Sequence, residues 1–345
     1  MTTLDFTNVN LDKLITHHVG NKIRDENVIM SKKTTEIHED TLNYLLKYFL
    51  SPFQPIDFYN FTHSVNLDLN EVYMIVKKIF DNINEFIPQS KNLANLLYEY
   101  SSHPKIKGGE FNIVLFNNFI FDDEVVNAVG LFKSENNVPF IKMNPEETNY
   151  FIEHEFGFEL KGIDKGCIVF NTNEAEGFTT LVVDKSGDTQ YWLNDFLKLK
   201  SCNDDYNNTK DFMSITKDFV TKKMSEEFDV SKTEKIDLLN RTMEYFKNND
   251  SFDKTEFEED VFHNENVINS FREFDSSFRT ENKIDLNDSF EISNQAVKKQ
   301  SRKFKSILKL DKNFHVYIHG NKDLIEKGVE SDGRKYYKIY YEKED

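Results

Sequence analysis

The 345-residue sequence contains only two cysteines, Cys167 and Cys202, too few for a disulfide scaffold or a Cys-rich zinc site. No apolar run approaches the roughly 18 residues of a membrane-spanning helix. Met1 to Leu14 lacks a basic segment leading into an apolar stretch, so no secretory signal is expected. These absences lead us to expect a cytoplasmic protein. Positive charge is also scarce: 43 Lys and Arg face 60 Asp and Glu, for a net −17. Binding to DNA, a polyanion, rests on Lys and Arg neutralising phosphates, so the overall balance argues against it.

What is abundant is aromatic surface, with 32 Phe and 15 Tyr beside a single Trp. Large aromatic payloads let a core form from fewer hydrophobic positions. The length suggests two domains or so. The charge is uneven, since positions 292–345 carry 13 Lys and Arg against 8 Asp and Glu. That end is +5, which leaves −22 on the other 291 residues. An acidic body with a basic end hints at nucleic-acid or membrane contact.

The spacing predicts an α+β fold: N-terminal helices with a largely antiparallel sheet, a helical middle region and a small basic α/β C-terminal module. Domain limits are expected at 1–200, 201–285 and 286–345. Extended stretches at Leu14–Val19 and Val28–Met30 flank a Gly20-Asn21 turn signal. Leu42, Leu45, Leu46 and Phe49 have helical spacing, ended by Pro52 and Pro55. A second helix is expected from Asp68 to Pro88, and a third is capped by Ser90. Short strands follow between Phe111 and Val183, with gaps mostly too short for crossover helices. Helical stripes then run through Phe212, Ile215 and Phe219, and through Ile236, Leu239 and Met243 after a Ser231-x-x-Glu234 capping box. Thr255-x-x-Glu258 opens a third stripe, Val261 to Phe278. Arg279 to Ser289 reads as a linker, and strands are expected at Phe314–His319 and Tyr336–Tyr341. No internal repeat is visible.

Six segments then stand out together. They are His17-His18-Val19-Gly20-Asn21-Lys22, Lys47-Tyr48-Phe49-Leu50-Ser51-Pro52-Phe53 and His103-Pro104-Lys105-Ile106-Lys107-Gly108-Gly109-Glu110. The others are Gly130-Leu131-Phe132-Lys133-Ser134-Glu135-Asn136, Asp164-Lys165-Gly166-Cys167-Ile168-Val169-Phe170-Asn171 and Tyr191-Trp192-Leu193-Asn194-Asp195-Phe196-Leu197. Their order across about 180 residues resembles the bacterial nucleoid-associated protein family. The resemblance implies association with the nucleoid and with double-stranded DNA, directly or through a DNA-handling enzyme such as a topoisomerase. It carries over no catalytic residues.

For DNA contact, the candidate residues are Lys298, Lys299, Arg302, Lys303, Lys305 and Lys309, with Lys312 following. No acidic residue interrupts them before Asp311. On a helix from Ser293 to Ser306, Lys298 and Arg302 share one face, as do Lys299 and Lys303. Such a face can lie along a phosphate backbone without reading sequence; the plainer reading is a solvated helix face.

Other candidates are weaker. His17 and His18, on a strand, point to opposite faces and cannot readily chelate one metal. His315 and His319 would lie about 13 Å apart along a strand, again too far. Cys167 reads as a buried, inert thiol. Glu159-Leu160-Lys161, with Glu146 upstream, has the spacing of a Mg²⁺-dependent nuclease, a pattern expected by accident among 60 acidic residues. Lys107-Gly108-Gly109 lacks the spacing of a phosphate-binding loop. The acidic run Glu256 to Asp260 reads as a solvated helix face or, less simply, a dock for a basic partner. The expectation is a non-enzymatic protein without cofactor, catalytic site, metal site or membrane contact. A homo-oligomer is left open.

Overall fold

The computed structural model describes residues 4–53, 57–160, 162–185, 187, 190–282, 284–304, 307–310, 312, 314–317, 324–341 and 343, with the backbone alone at 307 and 309. The chain divides into two compact units, Met1–Cys202 and Asn203–Asp345.

The first unit is built on an antiparallel sheet. Its strands are β1 (Leu4–Asp5), β2 (Asn10–Val19), β3 (Val28–Ile29), β4 (Phe58–Phe61), β5 (Gly109–Phe121) and β6 (Glu124–Ser134). A separate ribbon, β7 (Val138–Glu146) and β8 (Asn149–Gly157), follows. The chain then returns to the sheet in β9 (Lys165–Phe170), β10 (Thr179–Asp184) and β11 (Leu199–Ser201). The order is β11-β4-β10-β9-β6-β5-β2-β3, with β1 also on β5. Helices α1 (Glu39–Leu50), α2 (Glu71–Asp81) and α3 (Phe86–Tyr100) cover it.

The central strands are buried on both sides, which is why they read as unbroken apolar runs. Val114, Phe116, Ile168 and Phe170 pack with Tyr48 and Phe49 of α1. Ile113, Leu115, Cys167 and Val169 face the opposite way, onto Val72 and Val76 of α2, Leu93 and Leu97 of α3, and Trp192 and Phe196. Phe111–Phe116 and Phe119–Phe121 form one strand rather than two. The register of β5 shifts between Phe116 and Phe119, where Asn118 takes φ 65°.

Helix boundaries differ from expectation where a residue has two meanings. Pro88 does not close α2 but sits in the first turn of α3, where its missing N–H costs nothing. Ser90 is therefore inside α3, and α2 is capped by Asn70, whose side chain accepts from Tyr73 N.

The second unit is mostly helical. It contains α4 (Asp205–Asp218), α5 (Met224–Glu227), α6 (Lys232–Asn248), β12 (Ser251–Asp253), α7 (Lys254–Phe262) and α8 (Glu265–Asn282). Then come β13 (Ser289–Glu291), α9 (Asn294–Ser301) and the strands β14 (Ile307–Leu310), β15 (Phe314–Tyr317), β16 (Ile325–Val329) and β17 (Lys335–Ile339). The Ser231/Glu234 capping box is present at α6. The box expected at Thr255 is not: Asp253 caps α7, accepting from Thr255 N and Glu256 N. The expected stripe from Val261 to Phe278 is broken into α7 and α8 at His263, which takes φ 56°.

Arg279 to Ser289 is not a free linker. Arg279 bonds Asp275 at 2.7 Å and the Leu286 carbonyl at 2.9 Å, and Leu286 is buried in the unit's core. Phe290, Ile292, Val297 and Phe304 enter the same core as Phe212, Phe246 and Phe257, so the segment through Phe304 is continuous with the helical region. Phe252 of β12 stacks on Phe290 of β13 at 4.6 Å. The acidic run is not wholly solvated either. Glu258 is buried and paired to Arg272 at 2.6 Å, while Glu256, Glu259 and Asp260 are exposed.

Candidate nucleic-acid interface

Helix α9 is short because its apolar spacing is short. Ala296, Val297 and Gln300 are buried, followed by Phe304 beyond the helix end. Ser293 caps it, accepting from Ala296 N at 3.4 Å while donating its own N–H to Thr209 of α4. With that stripe turned inward, Lys298, Lys299, Arg302 and Lys303 all fall on the exposed side. The helix ends at Ser301 rather than Ser306, and Arg302 continues it in right-handed helical conformation at the cap.

Lys299 Nζ lies 5.7 Å from the centre of the Tyr206 ring of α4, and Lys210 Nζ lies 5.9 Å from the same ring. The buried Tyr206 ring thus ties Lys299 of α9 to α4, while Lys210 is itself largely buried beside Asp211 at 3.8 Å. Spacing along α9 alone could not reveal Tyr206, since the contact joins positions 299 and 206 of the chain. Among the described residues, Lys298, Arg302 and Lys303 make no ion pair. Part of the arrangement serves the helix itself: Lys298 and Lys299 occupy its last turn, where the dipole favours cations.

The remaining expected residues are less fully placed. Lys305 lies outside the described residues. Lys309 is in β14 opposite His315 of β15, and Lys312 is exposed in the intervening turn. His315 is exposed, and His319 lies outside the described residues.

The six ordered segments converge in the first unit as a buried polar network. Asn21 Nδ2 donates to the carbonyls of His103 and Ile106 at 2.8 and 2.6 Å. Tyr48 bonds Ser134 at 2.6 Å, and Phe49 stacks on Phe132 at 4.6 Å. Lys133 Nζ donates to the Lys107 carbonyl at 2.6 Å and stands 3.1 Å from Glu135 Oε1, paired with it but not aligned as a hydrogen bond. Burial lowers its pKa, and Glu135 opposes that shift. Lys165 pairs with Asp184 at 2.9 Å, and both lysines lie within 6 Å of the centre of the Tyr191 ring. Asp164 accepts from the backbone of Glu135 and Asn136, and Trp192 donates to the Gly166 carbonyl. A Cβ at Gly109 would meet Ser134 O at 2.1 Å, and one at Gly166 would meet Phe53 at 2.8 Å, so both are close-approach glycines. With Lys133 and Lys165 each buried against a carboxylate, this network holds the sheet's end together.

The other polar candidates are accounted for locally. His17 is buried, with Nδ1 accepting from Ser31 N at 3.1 Å, so its proton is on Nε2, 3.0 Å from Ser90 Oγ. Burial lowers its pKa from 6.5 to about 4, with Lys91 adding to the shift. His18 points to the other side, 3.4 Å from Glu110. Burial raises the Cys167 thiol, leaving it without thiolate character. Glu159 lies in the loop after β8, not on a strand, and Lys161 is outside the described residues. Glu146 is at the opposite end of the β7–β8 ribbon from Glu159, so these two carboxylates are not brought together. Among the described residues, no group of three or more His, Cys, Asp or Glu is arranged to hold a metal ion, and no helix is long and apolar enough to cross a membrane.

Compared with known families, residues 15–334 match the family described as nucleoid-associated protein YejK. No curated protein matches the chain.

Proposed function

The chain belongs to the nucleoid-associated protein YejK family, and from that premise we propose that it is a non-enzymatic nucleoid protein of the cytoplasm that contacts double-stranded DNA through α9 and the basic segment after it. The observation that carries this reading is the exposed set Lys298, Lys299, Arg302 and Lys303, on the last turn of α9 and the two residues after it, anchored from behind by Val297 and Phe304. Four cations on a fixed support can follow phosphates without reading base edges, so binding is tolerant of sequence. The acidic remainder of the chain repels the duplex and confines contact to the basic end.

A gel-shift titration of a 30-base-pair duplex tests this, with wild type beside a Lys298→Glu, Lys299→Glu, Arg302→Glu, Lys303→Glu variant. We expect the wild-type shift to vanish in the variant. An equal shift for both would place DNA contact elsewhere.

The −22 charge on the other 291 residues favours a second reading, in which the protein reaches the nucleoid as an accessory to a DNA enzyme such as a topoisomerase. Co-purification of a topoisomerase after nuclease digestion, from a wild-type chain that shifts no duplex, would favour that reading.

A further inference from the structure

Among the described residues, the β7–β8 ribbon joins no other strand and enters none of the buried cores. Its register places Ile141 opposite His154 and Met143 opposite Ile152, so these four side chains share one face with Tyr150 and Phe156. The five apolar members of that set are each 64–73% exposed. The other face carries charge beside two less exposed rings: Lys142 pairs with Glu155 at 3.3 Å, Asn144 bonds Glu153 at 2.7 Å, and Phe140 and Phe151 are 44% and 43% exposed. The face without charged residues is therefore the more apolar and the more exposed of the two.

We propose that this face is the seat of a homodimer, occupied by the same ribbon of a second copy. An isolated two-stranded hairpin is marginal in water, whereas two ribbons stacked face to face make a four-stranded sandwich with a core of its own. At the roughly 150–250 Å² that a large side chain can bury, five this exposed offer about 500–850 Å² per protomer. That is close to the roughly 800 Å² per partner of a standard interface. A twofold axis through the face makes it self-complementary. The face carries no Asp, Glu, Lys or Arg, so a nucleic acid or a charged peptide finds nothing there to pair with. Joining edge to edge along β7 is disfavoured. Pro139 and Pro145 lack the amide hydrogens that an added strand would need, which directs association to the face.

This inference is independent of where DNA binds. Sedimentation equilibrium of the full chain tests it, with an Ile141→Glu, Ile152→Glu variant and a single Met143→Lys variant. Wild type should sediment at twice 40.7 kDa at micromolar concentration. Both variants should sediment as monomers with unchanged circular dichroism and melting, because these side chains lie in no core. A Glu155→Lys variant, altered on the charged face, should remain dimeric. A wild-type chain that is monomeric up to about 100 µM overturns the proposal, whether or not it floats with phosphatidylglycerol vesicles. A dimer that survives in both face variants overturns it as well.

Discussion

His17 is held neutral between Ser31 and Ser90, and this ties its burial to pH. Between pH 6.5 and about 4 the unfolded chain binds a proton that the folded chain does not. The stability contributed by this site is complete above pH 6.5 and is lost as pH falls towards 4, by up to about 3 kcal/mol. Urea unfolding across that window should show a shallower pH slope for His17→Gln than for wild type. Lys133 poses the opposite problem, a buried cation whose removal strands Glu135. Lys133→Met should cost about 3–5 kcal/mol in urea unfolding, with much of it recovered in Lys133→Met, Glu135→Leu. The sequence made Cys167 legible because it precedes an unbroken apolar run, which predicts burial of the strand that carries it. It did not announce Lys133 and Lys165, since a lysine's burial depends on carboxylates that other positions supply, and Asp184 lies on a different strand from Lys165.

At the level of elements, period and capping chemistry were good guides wherever a signal had one meaning. The α6 capping box and the α1 stripe are examples. Pro88 misled because proline both ends a helix and starts one. The break at His263 carried no glycine or proline, although Asn264 caps the start of α8 by accepting from Asn266 N. The strand β8 escaped notice because it pairs only with β7 and covers no core that would impose a pattern. For α9 the same period that buries Val297 and Phe304 exposes the basic residues. Phe304→Ala should destabilise the second unit by about 3–5 kcal/mol in thermal or urea unfolding. The four-residue reversal on the exposed side should leave the same unfolding curve nearly in place, since exposed substitutions usually move it by less than about 0.5 kcal/mol each.

Over the whole molecule, charge is segregated rather than balanced, and the net −17 conceals a positive end. The α+β class, the antiparallel sheet and the family were all readable from the sequence. The candidate interface was only half readable: the spacing showed the lysines of α9, while the Tyr206 ring under Lys299 came through tertiary packing alone. The ribbon's apolar face was hidden for the same reason, because exposure is a property of the folded molecule.

The central claim is that four cations on α9 and the two residues after it engage DNA phosphates, and salt dependence tests it most directly. Fluorescence anisotropy of a labelled duplex should give a log affinity that falls against log salt with a slope of roughly −3 to −4, as about four displaced counterions require. In the four-residue reversal, binding should be lost. Absence of wild-type binding at low salt, or an unchanged slope in the reversal, would contradict the account.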